Sequence, residues 1–139
     1  MTESALSPYR VLDLTDHRGE IAGMILGDLG ADVIRVEPPS GSAARRAEPT
    51  VRDAQGERAS LQFYAYNRNK RAMTLDLSES GDRETFLELV ETADFVLESG
   101  PGGELERAGI DFESLKARQP QIVHLKLSAF GVDGPHADW

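Results

Sequence analysis

Tyr9-Arg-Val-Leu-Asp-Leu14, Gly19-Glu-Ile-Ala-Gly-Met-Ile-Leu-Gly-Asp-Leu29 and Ala31-Asp-Val-Ile-Arg-Val36 decide the fold. The first segment reads as a short strand, and the third, which is β-branched, as a second. Between them, Ile21, Ile25 and Leu29 recur at steps of four, with Ala22 and Leu26 alongside. This spacing predicts a helix with one apolar face turned inward. Gly30 follows at once, where a helix C-terminus favours glycine. Strand, helix and strand in so few residues make a βαβ unit with a right-handed crossover.

The alternation continues outward from that unit. Ala72-Met-Thr-Leu-Asp-Leu77 predicts a third strand, Asp94-Phe-Val-Leu-Glu98 a fourth and Ile122-Val-His-Leu-Lys-Leu127 a fifth. Ser78 is a candidate N-cap for a helix whose buried stripe is Phe86, Leu87, Leu89, Val90 and Ala93. Leu61 to Tyr66 reads as a short helix. Glu104 to Ala108 reads as one helical turn stopped by Gly109, and Asp111 caps a further helix that Pro120 ends. Glu37 to Ser60 is punctuated by proline and glycine without an apolar period, and is expected to be a long loop. The predicted class is α/β, a Rossmann-like parallel sheet with helices on both faces, in one domain over 1–139.

Such sheets bind ligands beyond the carboxyl ends of their strands. That nominates the turns after Leu14, Val36, Leu77, Glu98 and Leu127. The first turn, Thr15-Asp-His-Arg-Gly19, lacks G-x-G-x-x-G, which argues against a dinucleotide site there. His17 reads either as a base or as an exposed loop residue. Ser99-Gly-Pro-Gly-Gly103 reads either as an amide cradle for phosphate or as a plain tight turn. Asp13, Asp76 and Asp94 place charge at strand positions, which suits a site or an exposed strand end.

Composition narrows the function. The 139 residues are 40% hydrophobic and 28% charged, which is globular. A net charge of −9 argues against general nucleic-acid binding. Ala43 to Arg71 nonetheless sums to +4, from seven basic and three acidic residues. That segment suits a small anionic ligand or a solvated arginine-rich loop, and Arg68, Lys70 and Arg71 could grip phosphate. With no cysteine and three scattered histidines, His17, His124 and His136, no metal site is expected. No run approaches a membrane span and Met1 to Pro8 is no signal peptide, so a cytoplasmic location is the default expectation.

Several phrases together resemble the family III CoA-transferases, the group of formyl-CoA and carnitine-type transferases and the α-methylacyl-CoA racemases. They are Val11-Leu-Asp-Leu-Thr15, Leu29-Gly-Ala-Asp-Val-Ile-Arg-Val-Glu-Pro-Pro39, Asn67-Arg-Asn-Lys-Arg71 with Thr74-Leu-Asp-Leu77, Ala93-Asp-Phe-Val-Leu-Glu98, Leu105-Glu-Arg107 and Phe130-Gly-Val-Asp-Gly-Pro135. The resemblance implies the N-terminal CoA-binding portion of a larger enzyme, incomplete relative to the full family fold. It implies coenzyme A or acyl-CoA as ligand, with Asp16, His17, Arg18, Leu75, Ser78, Ser99, Gly100 and Pro101 near the nucleotide and Arg107 on a CoA phosphate. Three departures stand out: the first turn is one residue shorter than usual and lacks the common A-G-P, Ser99-Gly100 replaces an asparagine and an aromatic, and Pro38 replaces a basic residue found in some members.

Family transferases use an aspartate nucleophile that lies well beyond the Phe-Gly…Gly-Pro loop, so no catalytic residue is assigned here, Asp138 included. The expectation is a fragment, a truncated product or half of a split enzyme acting with acyl-CoA and a carboxylic acid. The alternatives are a non-catalytic CoA-binding partner subunit and part of a 2-methylacyl-CoA racemase. A homodimer or a pairing with a complementary chain is expected, with no nucleic acid or membrane as partner.

Overall fold

The computed structural model describes residues 4–52, 54–100, 102–131 and 133–137. Five parallel strands form the sheet: β1 (Arg10–Leu14), β2 (Asp32–Glu37), β5 (Arg71–Thr74), β6 (Phe95–Ser99) and β7 (Val123–Leu127). The strand order is β5-β2-β1-β6-β7. The chain therefore builds outward from β1 in one direction, then returns to build outward in the other. The carboxyl end of the β1–β6 pair is the switch point where a ligand crevice opens.

Side-chain alternation sends the two faces of the sheet to different layers. Leu12, Leu14, Ile34, Val36 and Val96 pack with Phe86 and Val90 of α3 (Ser80–Val90), Leu105 of α4 (Glu104–Arg107) and Leu115 of α5 (Phe112–Arg118). On the other face, Val11, Val33 and Leu97 pack with Ala22 and Leu26 of α1 (Glu20–Asp28). The short α2 (Leu61–Asn67) lies against α1. Helices cover both faces, as the alternation of elements predicts.

The helix ends follow local chemistry. Gly30, at φ +105°, turns the chain out of α1, while its N–H and that of Ala31 bond the carbonyls of Gly27 and Leu26. The Asp111 side chain accepts from Ser114 N at 2.8 Å and starts α5.

Three expectations need correction. The Ile21, Ile25 and Leu29 stripe of α1 faces outward, at 44%, 48% and 46% exposure. The inward side carries Ala22 and Leu26, packed on Val11, Val33 and Leu97, together with buried Glu20 and Gly23 over the charged groups of the sheet. The segment from Glu37 to Ser60 is not one structureless loop. It holds a 3-10 turn at Ala43–Arg46 and an antiparallel hairpin of β3 (Thr50–Arg52) and β4 (Arg58–Ser60). Gly56 at φ +84° turns that hairpin, and Arg58 reaches across it to Glu48 and Thr50. Ser78 does not cap α3. Its hydroxyl donates to Asp76 at 2.5 Å, and Glu79 takes the N-cap position.

Candidate functional site

A cleft of about 250 Å³ opens at the carboxyl ends of β1, β2 and β6. Its walls come from three turns. The turn after β1 supplies Thr15, Asp16 and Arg18, and the turn after β2 supplies Pro38 and Ser40 to Ala43. The turn after β6 supplies Ser99, Gly102 and Gly103, with Glu104 and Arg107 from α4. A second hollow of about 160 Å³ adjoins it, lined by Asp76, Leu77 and Ser78, and shares Pro38, Glu104 and Arg107. Arg107 therefore stands on the ridge between the two.

Hydrogen bonds fix the first turn to the last. Asp13, wholly buried, accepts from Thr15 N at 2.9 Å and from its hydroxyl at 2.6 Å. Asp16 N donates to Ser99 Oγ at 3.0 Å, which ties the β1 turn to the end of β6. Asp16 then holds Arg18: Nε lies 3.0 Å from both carboxylate oxygens and Nη2 is 2.7 Å from Oδ2. Burial alone would raise the Asp16 pKa. The hydrogen bonds from Arg18 and Ser99 and the guanidinium charge outweigh it and bring it down to about 2. Across the cleft, Arg107 is held by the Gly102 carbonyl and by Glu104. Both arginines are thus held by their own neighbours and still exposed at the rim of the cleft.

The structure brings Arg18, Ser99 and Arg107 to the cleft and Ser78 to the adjoining hollow. His17 is exposed beside the rim, where its carbonyl accepts from Gln62 Nε2 at 2.6 Å, and it does not line the cleft. Leu75 is buried in the core, with its N–H on the Glu37 carbonyl. Gly100 is buried below the rim and bonded to the Leu127 carbonyl. A Cβ there would fall 2.2 Å from Lys126 Cε, so the flexible lysine side chain would have to shift to admit one. Pro101 lies outside the described residues, as does Asp138.

The basic segment resolves into structural pairs. Arg45 binds Glu37 at 2.6 Å and stacks over Phe63 at 4.3 Å. Arg68 binds Asp28 at 2.9 Å and Arg71 binds Asp32 at 3.2 Å. Asp32 and Arg71 begin their strands, at the opposite end of the sheet from the cleft. Lys70 is buried with its ammonium 2.7 Å from Asp13 and 2.8 Å from the Glu20 carbonyl. Each of these four cations is therefore paired with a carboxylate, Lys70 inside the fold and the arginines at its surface, and Arg68, Lys70 and Arg71 do not line the cleft. Asp94 is likewise structural, accepting from Arg10 N at 2.8 Å.

Sequence reading missed Ser40, Gly41, Ser42 and Glu104 as cleft residues. The available signal was Ser42, whose hydroxyl accepts from Ala44 N at 3.1 Å and caps the 3-10 turn that forms this wall. Among the described residues, no group of three or more histidine, aspartate or glutamate side chains could hold a metal ion. None of their helices is long and apolar enough to cross a membrane.

The sequence pattern described as CoA-transferase family III matches residues 6–139. This chain belongs to CoA-transferase family III. The succinyl-CoA:mesaconate CoA-transferase of Haloarcula hispanica is 41% identical over 128 residues, covering 91% of this family III chain and 32% of that protein. Subunit BbsE of the succinyl-CoA:(R)-benzylsuccinate CoA-transferase of Thauera aromatica is 37% identical, over 94% of this chain and 32% of that one. Among solved structures, a CAIB/BAIF family protein from Brucella suis superposes with a TM-score of 0.85 at 40% identity, covering 99% of this chain and 36% of that chain. The family III chain thus spans about a third of the length of the curated relatives it matches.

Proposed function

We propose that this chain supplies the CoA-binding part of a family III CoA-transferase, with the nucleotide held along the cleft at the switch point. The observation that carries the reading is the pair of exposed arginines, Arg18 and Arg107, facing one crevice at the carboxyl rim of a family III chain. Guanidinium forks suit phosphate oxygens, and the Gly102–Gly103 turn lets a ligand approach the backbone closely. Ser78 and Ser99 add hydroxyls at the same rim, while Leu75, Gly100 and His17 support or border it.

The transfer itself needs a carboxylate nucleophile, which by family resemblance is an aspartate supplied by polypeptide beyond this sequence. That carboxylate attacks the acyl-CoA carbonyl and expels CoA thiolate, leaving a mixed anhydride. The thiolate attacks the aspartyl carbonyl of the anhydride and releases the donor acid, giving an aspartyl-CoA thioester. The acceptor carboxylate and the thiolate then repeat the two steps in reverse order, so CoA passes to the new acid and the aspartate is regenerated. In this scheme the residues described here bind and orient CoA and touch no reacting carbonyl. A second reading, a subunit that pairs with another chain, is supported by the likeness to a protein named as a subunit and by the outward apolar stripe of α1.

Calorimetric titration with free CoA tests the proposal. The expected result is saturable binding that weakens about tenfold in Arg107→Ala, through loss of a charge-assisted contact, and that weakens further as salt rises. Absence of binding, or an Arg107→Ala titration identical to that of the parent, would overturn it. Acyl transfer by this polypeptide alone would show that the nucleophile lies within it.

A further inference from the structure

The turn that carries Arg18 runs from the end of β1 to the start of α1, and one buried side chain grips both of its ends. The Lys70 ammonium lies 2.7 Å from Asp13 Oδ2 in β1 and 2.8 Å from the Glu20 carbonyl in the first turn of α1. We propose that Lys70, which does not line the cleft, is a positioning residue for Arg18 and thereby sets the affinity of the cleft for a phosphate-bearing ligand. This rests on the reading of the cleft as the CoA site.

The hydrogen bonds from ammonium to guanidinium are continuous. Asp13 gives its other oxygen to Thr15, accepting from the backbone N–H at 2.9 Å and from the hydroxyl at 2.6 Å. Arg35 stands 3.7 Å from that oxygen, too far for a hydrogen bond, so Lys70 is the cation that orients the carboxylate. Thr15 lines the cleft and is followed by Asp16, whose carboxylate holds Arg18. The Asp16 carbonyl accepts from Gly19 N at 3.0 Å and from Glu20 N at 3.2 Å, which returns the chain to the carbonyl that Lys70 grips. Arg18 therefore projects from a loop closed at both ends by one ammonium.

The fold makes a place for this lysine. Its side chain is 1% exposed, and an ammonium is costly to bury unless its partners are in place. α1 carries glycine where the lysine passes beneath it: a Cβ at Gly23 would fall 3.1 Å from Lys70 Cε and 2.4 Å from Asp13 Oδ2. Asn67 donates to Glu20 at 2.8 Å and Asn69 to the Met24 carbonyl at 2.9 Å, so the segment is docked on α1 on either side of that glycine. An apolar side chain at position 70 could fill the same space but could bond neither Asp13 nor the Glu20 carbonyl. An arginine held in this way meets a phosphate without the cost of ordering a long side chain on binding.

A double-mutant cycle read by calorimetric titration with free CoA tests the role. Lys70→Met should weaken CoA binding about tenfold in the parent and in Arg107→Ala. It should change binding less than about twofold once Arg18→Ala has removed the side chain it positions. Thr15→Val keeps the ammonium in place and deletes only the hydroxyl bond to Asp13. It should weaken binding about threefold, again only when Arg18 is present, and it decides the matter if Lys70→Met fails to fold. A second readout needs no ligand. In NMR spectra of the free protein, the Arg18 Nε–H signal should move toward that of an unconstrained arginine in both variants, while the Arg107 signal stays. A parent that binds no CoA would sink the reading of the cleft and leave the Arg18 signal to decide the positioning role. An Arg18 signal unchanged in the folded variants, or a loss of affinity as large without Arg18 as with it, would overturn the proposal.

Discussion

Asp13 of β1 and Arg35 of β2 are register partners in the middle of the parallel sheet, and both are buried. Arg35 Nη1 lies 3.7 Å from Asp13 Oδ1, and its guanidinium also reaches Glu20 at 3.3 Å and Glu37 at 3.8 Å. The other Asp13 oxygen takes the Lys70 ammonium. The charged layer beneath α1 follows from this pair. It ties the first two strands to α1 and to the Asn67–Arg71 segment, whose Asn67 side chain donates to Glu20 at 2.8 Å.

Breaking that layer should cost far more than breaking a surface pair. Lys70→Met leaves the Asp13 carboxylate buried without its ammonium, and should lower unfolding free energy by about 3 kcal/mol or more. Arg71→Met removes an exposed contact to Asp32 and should cost under about 1 kcal/mol. Urea unfolding of the two variants measures the contrast. Equal losses would show that Lys70 is not the closing cation of the layer.

Acid should release the clasp on Arg18. The Asp16 pKa falls from an ordinary 3.8 to about 2 in the fold. A depressed carboxyl contributes stability that is present above the unfolded value and disappears as pH falls through the folded one. The contribution of Asp16 should therefore fade between about pH 4 and about pH 2, and Asp16→Asn should flatten the acid limb of the stability profile in that window. Unfolding free energies measured across the window, for parent and variant, decide this.

Two glycines should respond in opposite directions to alanine. At Gly23 a Cβ would fall 2.4 Å from Asp13 Oδ2 and 3.1 Å from Lys70 Cε. Gly23→Ala should cost about 1–3 kcal/mol by forcing α1 off the charged layer. At Gly81, in the first turn of α3, a Cβ meets nothing within 4 Å. Gly81→Ala should stabilise by about 0.5–1 kcal/mol through reduced freedom of the unfolded chain. Thermal unfolding of both variants checks the signs.

Apolar side chains remain exposed on α1 and on β7: Ile21, Ile25, Val123 and Leu125, at 44% to 49%. The chain is expected to self-associate as concentration rises, because such surface is driven out of water. Ile25→Glu should shift the sedimentation distribution toward monomer while changing unfolding free energy by less than about 0.5 kcal/mol. An unchanged distribution would place the contact elsewhere.

The sequence by itself determined the alternation of strands and helices, and hence the parallel sheet. Local signals settle such elements: the β-branched run at 31–36, the apolar core of 94–98, Gly30 after α1, Asp111 before α5. It also determined which turns form the rim, because a parallel sheet puts them all at one end. Only the tertiary structure decided which charges are available. Arg18 and Lys70 are alike as sequence, both cationic beside polar neighbours. One stands at an exposed turn, and the other is drawn under a helix to a carboxylate 57 positions away. The same long-range pairing turned the regular Ile21–Ile25–Leu29 stripe outward. Periodicity reports that a helix has an apolar side, but what the opposing layer offers, here carboxylates and a guanidinium beside a small apolar patch that takes Ala22 and Leu26, decides which side goes in.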